Sequence, residues 1–349
     1  METISSTLNT LKASWESLKT QNPKLRIRDA AKQLNASEAE LIATGIGQNV
    51  VRLSEDFIDQ VKKFPKLGKV MALTRSEGCV LEHKGRFQKI AIHGAGPHQI
   101  ATVIGPIEQR VFFSAWKYGF AVRNESPRGP LFSLQYFDGQ GDAIMKVYIQ
   151  EESDEAFANL LIEEHMHPDQ SAAPKPVSYE VPEYTPREDL DFEGFTSDWE
   201  NMKDTHDFFG MLRKYKLNRM NAVEWIGEKW AYPVDKLSAR KVVNFAAESE
   251  LPIMIFAGNR GNIQIHQGKV KQIKQLGDWL NVMDPDFNMH LNEQVIDKAF
   301  VVHKNTTDGL VSALEIFDQK GEMVAQFFGL RKPGIPQNPA WKSLIDGLS

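Results

Sequence analysis

The feature of this 349-residue chain that most limits its fold is an internal repeat. The segment Leu134–Asp138 is matched 180 positions later by Leu314–Asp318, and Gly141 is matched by Gly321. Further matches toward the N-terminus have slightly larger offsets, as expected when loops gain or lose residues. Repetition over this length indicates one duplicated structural unit. The sequence therefore predicts two halves with the same fold.

Each half has a helical pattern that is followed by a strand pattern. Residues 7–60 have a helical pattern, with short helices at Arg26–Leu34 and Glu38–Ala43, and Ser37 with Glu40 has the form of a capping box. Short alternating or apolar runs then predict strands, at 70–74, 80–82, 89–92, 110–114, 120–123, 131–137 and 144–149. A hairpin turn is predicted at 138–141 and a closing helix at 154–164. This order is typical of an α+β fold with antiparallel sheets.

The length suggests two domains of ordinary size. The segment between them is rich in proline and has little periodicity, which indicates a partly extended linker; its prolines are Pro168, Pro174, Pro176, Pro182 and Pro186. We predict an N-terminal half at 1–170, a linker at 171–189 and a C-terminal half at 190–349.

Composition excludes several classes of protein. A formal net charge of −5 gives no general attraction to nucleic acid or anionic lipid. The single cysteine, Cys79, excludes an intrachain disulfide and a cysteine-based zinc or iron–sulfur site. We expect no secretory signal, because no basic segment leads into an apolar core. No run is long enough for a membrane span. These features predict a cytoplasmic protein.

Residues 196–215 are predicted to form one amphipathic helix. Trp199, Met202, His206 and Phe209 recur at three- and four-residue steps, which places them on one face. An imidazole in such an apolar stripe has two interpretations. It is either a core histidine with both nitrogens hydrogen-bonded, or a ligand offered to an apolar group such as haem. The spacing alone does not decide between them.

The motifs around this stretch resemble those of the bacterial haemin-utilisation proteins of the HemS/ChuS/HmuS type. The matching segments extend from about residue 25 to about residue 335, and their order and spacing make the resemblance specific. They are 71–75, 107–113 and 133–138 in the first half, and 205–214, 218–219, 231–234, 301–304, 314–318 and 328–334 in the second.

The resemblance implies two repeated halves with large antiparallel sheets and a haem cleft between them. It implies that His206 is the axial ligand of the haem iron, and that Arg219, Lys304 and Arg331 face the propionates. Phe328 stands where the family has a tyrosine, so a hydroxyl contact is lost while apolar contact persists.

The resemblance also implies a distal arginine, Arg110, on the opposite side of the haem. With a reductant and O₂, His206 and Arg110 would then act in oxidative degradation of the porphyrin and release of its iron. The same residues suit a carrier that passes haem from an inner-membrane ABC transporter to a separate haem oxygenase. A third interpretation is a haem-responsive DNA-binding protein, although the acidic start of the helix at 38–43 disfavours nucleic acid.

The repeat itself favours a ligand site in the second half. The histidine and the three cations have no counterparts in the first half, since His206, Arg219, Lys304 and Arg331 fall opposite Ser14, Ile27, Asn124 and Glu151. A second feature is shared by both halves, because His83 and His266 occupy equivalent strand ends. That pairing predicts a structural role, and a second haem contact at a surface-exposed His83 stays open.

Overall fold

The computed structural model describes residues 2–126, 129–331 and 334–348, with side chains from residue 8 onward. The fold is α+β with antiparallel sheets, as predicted. The helices are α1 (Glu2–Gln21), α2 (Ile27–Gln33), α3 (Glu38–Ala43), α4 (Phe57–Lys63), α5 (Glu155–Glu164), α6 (Phe192–Glu200), α7 (Asp207–Lys214), α8 (Arg219–Trp225), α9 (Ser238–Glu248) and α10 (Pro339–Asp346).

The strands fall into a first series and a second series along the chain. The first is β1 (Val50–Leu53), β2 (Gly68–Arg75), β3 (Cys79–Arg86), β4 (Lys89–His93), β5 (Ile100–Ile104), β6 (Glu108–Phe112), β7 (Trp116–Ser126), β8 (Gly129–Asp138) and β9 (Ala143–Ser153). The second is β10 (Ala231–Val234), β11 (Ile253–Gly258), β12 (Asn262–Gly268), β13 (Ile273–Leu276), β14 (Trp279–Met283), β15 (Phe287–Asn292), β16 (Lys298–Thr306), β17 (Gly309–Phe317) and β18 (Met323–Gly329).

The chain forms two compact units. Unit 1 holds the residues up to Thr74 together with His83–Glu180 and Asn259–Ile263. Unit 2 holds Arg75–Glu82, Val181–Gly258 and the residues from Gln264 onward. Each unit thus includes one short segment from the other half of the chain. The predicted halves at 1–170 and 190–349, with a linker at 171–189, stay a prediction.

In unit 1, strands β1-β7-β8-β9-β2 are hydrogen-bonded neighbours in that order, and β4, β5 and β6 form a meander. Side chains alternate between the two faces of the sheet. One face contributes Val70, Leu134 and Val147 to a core that includes residues of α4 and α5. The other face contributes Phe120 and Val122 to a core that includes residues of α3. Helices therefore cover both faces.

Unit 2 repeats this plan with strands β10-β16-β17-β18-β11 and a meander of β13, β14 and β15. One face of the sheet, with Val301 and Leu314, packs with α9 and α10. The opposite face, with Phe300 and Val302, packs with α6, α7 and α8. This second face is called the α6–α8 face below.

The hairpin turns of the two units agree in atomic detail. Asp138 Oδ1 accepts the backbone N–H groups of residues 140 and 142, and Asp318 Oδ1 accepts those of residues 320 and 322. Gly141 and Gly321 follow with φ of 80° and 76°, a conformation that favours glycine. A register shift follows residue 136 in one hairpin and residue 316 in the other. The predicted repeat is confirmed.

Several local predictions are confirmed as well. Ser37 Oγ accepts the N–H of Glu40, and Glu40 Oε2 accepts the N–H of Ser37, which completes the capping box. Helix α5 follows an Asp154 cap, as the pattern at 154–164 predicts. The helical interpretation of residues 7–60 is wrong at β1, where Val50–Leu53 pairs with β7. Tertiary pairing overrides local propensity there.

In the part of the chain that the structure describes, no helix is both long and apolar enough to span a bilayer.

A glycine on β18 tests the packing that fixes unit 2. A Cβ at Gly329 would lie 2.6 Å from Cγ of Trp341, which is fully buried. We expect Gly329→Ala to lower the free energy of unfolding by about 1–3 kcal/mol, the usual cost of overpacking. Urea denaturation followed by far-UV circular dichroism measures it.

Gly210 on α7 is the matched control, because a Cβ there meets nothing within 4 Å. Gly210→Ala should stabilise by up to about 1 kcal/mol, since alanine is the better helix former. Equal stability of Gly329→Ala and the parent would contradict the packing described for β18.

Candidate functional site

The predicted helix at 196–215 is two helices. Helix α6 ends at Glu200, helix α7 begins at Asp207, and a turn of residues 201–206 joins them. The prediction of one continuous helix, with His206 in the middle of its apolar stripe, is therefore wrong. Trp199 and Met202 are buried as predicted, whereas the side chains of His206 and Phe209 are 86% and 52% exposed.

Side-chain hydrogen bonds to the backbone explain the break. Asp207 Oδ2 accepts the backbone N–H groups of Lys203 and Asp204, at 3.0 Å each. Asp204 Oδ1 accepts the backbone N–H of His206 at 2.9 Å. Aspartate competes with helix hydrogen bonding in this way and favours turns and helix starts. Two aspartates three residues apart thus end one helix and start the next.

His206 stands at the start of α7 with one ring nitrogen engaged. Its Nδ1 lies 2.6 Å from Asp204 Oδ1. The backbone N–H of His206 holds the pKa of Asp204 below its usual value, partial burial opposes this shift, and the ring of His206 adds to it. An ionised carboxylate only accepts hydrogen bonds, so this contact favours the proton on Nδ1. In the neutral form of the ring, Nε2 then has the lone pair.

The turn that carries His206 is anchored to the β16–β17 hairpin. Asn305 Nδ2 donates to the carbonyl of Glu200 at 2.8 Å. The backbone N–H of Thr307 donates to the carbonyl of Lys203 at 2.9 Å. These two bonds fix the turn at its beginning and its middle relative to β16, the strand that contains Lys304.

A buried carboxylate, Glu315 on β17, brings two of the predicted cations together. Arg219 donates Nε–H and Nη2–H to its two oxygens, at 2.8 and 2.6 Å. Lys304 Nζ and Gln326 Nε2 both donate to Oε1 at 2.9 Å. Glu315 is fully buried and Lys304 nearly so. The carboxylate is therefore saturated with donors, as burial of a charge requires.

The charges of this cluster do not cancel. Burial raises the pKa of Glu315, but Arg219 and Lys304 outweigh burial and hold that pKa well below its ordinary value. Burial lowers the pKa of Lys304, Glu315 opposes that shift, and Arg219 adds to it. With all three groups ionised, two cations surround one anion. The cluster thus carries an excess positive charge in a buried setting, where an added anion would be stabilised.

The strand register places this cluster beside apolar side chains. Glu315 is opposite Gln326, which is opposite Phe256, and Phe328 is opposite Met254. These residues lie on the α6–α8 face with Lys304, because side chains alternate along each strand. Met254, Phe256 and Phe328 are only partly buried, and Phe256 packs edge-to-face on Phe328 with ring centroids 5.2 Å apart. The face therefore offers an apolar strip next to the cluster of Glu315, Arg219 and Lys304.

Helix α7 connects His206 to the same cations. Lys304 Nζ lies 4.1 Å from the centroid of the Phe208 ring, and the Arg219 guanidinium lies 4.8 Å from it. Arg219 also lies 5.8 Å from the exposed ring of Phe209. These distances are those of cation–π contacts. The helix that begins beside His206 thus packs directly on both cations.

The structure brings together part of the predicted set. Arg219 and Lys304 share Glu315, and Phe328 lies on the same sheet face. Arg331 is half-buried two residues beyond the end of β18. The predicted motif continues through Lys332 and Pro333, which lie outside the described residues. The roles of all these residues as ligands stay predictions.

Arg110 belongs to unit 1 and is held along its own strand. Its Nη2 donates to Glu108 Oε1 at 3.0 Å, and its Nη1 donates to the carbonyl of Gln109 at 3.0 Å. About a third of its side chain is exposed. The guanidinium is thus oriented by β6 itself, and its predicted distal role stays a prediction.

The surface haem contact at His83 that the sequence left open does not fit the structure. Alternation along β3 directs His83 inward, and its side chain is 5% exposed. His266 is also buried, and its ring stacks on Phe287 with centroids 3.7 Å apart. Burial of both histidines supports the shared structural role.

The sequence analysis did not identify three residues of the site, which are Glu315, Gln326 and Asp204. The repeat held a signal for the first two, because Glu315 stands where the first half has Gln135, and Gln326 stands where it has Lys146. The signal for Asp204 was its position two residues before the candidate ligand His206. That signal is weak, because carboxylates at such a spacing are common. The helix pattern hid it, since it assigned those residues to the interior of a helix.

Two surface cavities, of about 450 and 600 Å³, lie in unit 1 around α1, α2 and α3. Polar side chains such as Asn35 and Glu40 line both of them, and neither includes a predicted site residue.

Comparison with known proteins identifies the family of this chain. A family model described as the haemin-degrading HemS.ChuX domain matches residues 35–165 and 216–348. The hemin transport protein HmuS of Yersinia pestis is 32% identical over 333 residues, which cover 95% of this chain and 94% of that protein.

Two solved structures are similar over nearly the whole chain. Holo-PhuS, a heme-binding protein from Pseudomonas aeruginosa, is 38% identical, with a TM-score of 0.94 and coverage of 98% of this chain and 99% of its own. ChuS, an E. coli heme oxygenase, is 29% identical, with a TM-score of 0.87 and coverage of 97% and 99%. The two matched segments correspond to the two halves of the repeat. The chain therefore belongs to the haemin-degrading HemS/ChuX family and contains two copies of its domain.

Proposed function

We propose that this protein binds haem in haem-iron utilisation, with His206 as the axial ligand and with Arg219, Lys304 and Arg331 facing the propionates. The observation that carries the proposal is the α6–α8 face of unit 2. There, the buried Lys304, the partly buried Arg219, an apolar strip and the helix that begins beside His206 are combined in one compact unit. The relatives named as heme-binding and hemin transport proteins support it.

The residues fit the chemical requirements of haem. Its iron takes a neutral imidazole nitrogen, and the contact of Nδ1 with Asp204 favours the tautomer in which Nε2 offers its lone pair. The flat porphyrin needs apolar contact, which Phe328, Phe256 and Met254 offer on one side of the sheet. The two propionates need cations, and Arg219 with Lys304 supplies an excess positive charge.

The cations retain donors for a ligand. Arg219 uses Nε and Nη2 for Glu315, and Lys304 uses one of its three N–H bonds. Within the described residues, Nη1 of Arg219 makes no further hydrogen bond. Glu315 therefore fixes the direction of both side chains while leaving donor capacity for a carboxylate.

Oxidative degradation of the bound haem is the function that we favour. When bound, haem supplies a redox-active iron that can react with O₂ in the presence of a reductant. His206 would bind the iron, the cations would orient the porphyrin, and Arg110 would donate hydrogen bonds that stabilise developing negative charge on oxygen. ChuS, the heme oxygenase among the relatives, supports this reading.

A carrier is the second candidate, and one observation favours it. The imidazole of His206 is 86% exposed, which suits ready transfer of haem to and from a partner. The hemin transport protein among the relatives is consistent with this role. In this reading, an inner-membrane transporter supplies haem and a separate haem oxygenase consumes it.

The axial ligand is tested by removing the imidazole. We expect His206→Ala to shift or abolish the Soret band of the haemin complex and to weaken affinity at least tenfold, or about 1.4 kcal/mol. Spectroscopic titration with haemin measures both effects. Some binding should persist, because burial of the porphyrin contributes independently.

His98→Ala is the matched control, because His98 is an exposed histidine in unit 1. It should leave the spectrum and the affinity unchanged. A parent-like spectrum and affinity for His206→Ala would remove His206 from the site.

Turnover separates the enzyme from the carrier. With ascorbate in air and catalase present, the parent complex should lose its Soret band and give an open-chain tetrapyrrole. Arg110→Ala should bind haemin within a few-fold of the parent yet degrade it about ten- to a thousandfold more slowly, the range for losing one donor to a developing oxyanion. Product analysis by mass spectrometry identifies the tetrapyrrole.

Glu108→Gln is the companion variant, because it releases Arg110 from its ion pair but keeps the guanidinium. It should retain turnover. If catalase abolishes turnover of the parent, or if Arg110→Ala degrades haem at the parent rate, the enzyme reading fails and the carrier reading replaces it.

A further inference from the structure

We infer that Asp204 is a positioning residue for the axial ligand: it selects the tautomer of His206, aims Nε2 outward and increases the electron donation of the imidazole to iron. This inference rests on the proposed function of His206 and adds Asp204 to the residues that support haem binding.

The Asp204 side chain makes two hydrogen bonds to His206, one to the backbone and one to the ring. Asp204 Oδ1 accepts the backbone N–H of His206 at 2.9 Å and its Nδ1–H at 2.6 Å. One carboxylate oxygen therefore fixes both the backbone and the ring of the same residue. An imidazole in water turns freely and exchanges its proton between the two nitrogens. Here the ring has one hydrogen-bonded orientation before any ligand arrives.

Asp204 is itself held by the turn. Its backbone N–H donates to Asp207 Oδ2, and the carbonyl of Lys203 accepts the N–H of Thr307 on the β16–β17 hairpin. The adjoining strand β16 contains Lys304, which binds Glu315. A short chain of contacts thus relates the direction of Nε2 to the cations that would hold the propionates. Supporting groups of this kind keep a ligand in productive geometry.

A carboxylate behind an imidazole changes the iron that the imidazole binds. The hydrogen bond draws the Nδ1 proton toward oxygen and gives the ring more anionic character, which raises its basicity as a ligand. A more anionic ligand stabilises ferric over ferrous iron. Asp204 should therefore favour the ferric state, and its loss should weaken ferric binding more than ferrous binding.

The tautomer is measured in the haem-free protein. Two-bond proton–nitrogen NMR spectra of the ¹⁵N-labelled full chain at about pH 8, where imidazole is neutral, distinguish the two tautomers. In the parent, His206 should have its proton on Nδ1. In Asp204→Ala, the proton should move mainly to Nε2, the preference of a neutral histidine side chain in water. Asp204→Asn should keep an intermediate population, since the amide oxygen still accepts.

The effect on iron is measured in the complex with haem. Asp204→Ala should weaken ferric binding roughly tenfold to a hundredfold, the usual result of losing such a partner. Ferrous binding should weaken less, and each tenfold difference raises the reduction potential by about 59 mV. The iron–histidine stretching band in the resonance Raman spectrum of the ferrous complex should move to lower frequency. A role in folding alone would move neither the potential nor this band.

Asp198 provides a matched control. It is a carboxylate on α6 that accepts hydrogen bonds from Lys214 and Tyr215 and makes no contact with His206 among the described residues. Asp198→Ala changes the net charge as Asp204→Ala does, and it should leave tautomer, potential and Raman band unchanged. Parallel changes in both variants would assign the effect to charge and overturn the inference.

The outcomes separate this inference from the proposed function. If Asp204→Ala matches the parent in tautomer, potential and Raman band while His206→Ala loses the Soret band, Asp204 has no positioning role and the haem site stands. If His206→Ala itself binds haem like the parent, the proposed function fails and this inference fails with it. A His206 proton on Nε2 in the parent would overturn the inference by itself.

Discussion

The site in unit 2 depends on one buried carboxylate. Glu315 lies in the middle strand of the repeated sheet, out of contact with water, and its charge is tolerated only because Arg219, Lys304 and Gln326 all donate to it. Removing it would leave the cations Arg219 and Lys304 without their shared counter-ion. The same interaction that satisfies Glu315 fixes the direction of both cations, so structural stability and anion binding have a common cause.

The repeat allows the charged clusters of the two units to be compared at matched positions. In unit 1, the buried cation Lys146 pairs with the buried Glu38. In unit 2, the matched strands have Glu315 and Gln326, and the cations come from Arg219 on α8 and Lys304 on β16. Two cations then surround one anion. The duplicated fold supplies the frame in both halves, and different residues at a few matched positions place a carboxylate with two cations in unit 2.

The sequence allowed the frame to be predicted better than the site. Repeated motifs and hairpin turns predicted the α+β halves, because Asp138 and Gly141 have the same local chemistry as Asp318 and Gly321. The prediction of one helix at 196–215 was wrong. Helical periodicity takes no account of Asp204 and Asp207, whose side chains accept hydrogen bonds from nearby backbone N–H groups. Glu315 was missed because its importance comes from partners 96 and 11 residues away, which the packing of α8 on the sheet and the strand register bring together.

The central claim is that the excess charge around Glu315 selects a ligand with carboxylates. Binding of haemin and of haemin dimethyl ester to the parent, to Lys304→Met and to Lys229→Met tests it. Glu315 keeps Arg219 and Gln326 as partners in Lys304→Met, so that variant should fold, and the exposed Lys229 is the control. We predict that the parent binds haemin at least tenfold more tightly than the ester, a preference of about 1.4 kcal/mol that Lys304→Met loses and Lys229→Met retains. Equal affinity of the parent for acid and ester, or an undiminished preference in Lys304→Met, would contradict the account.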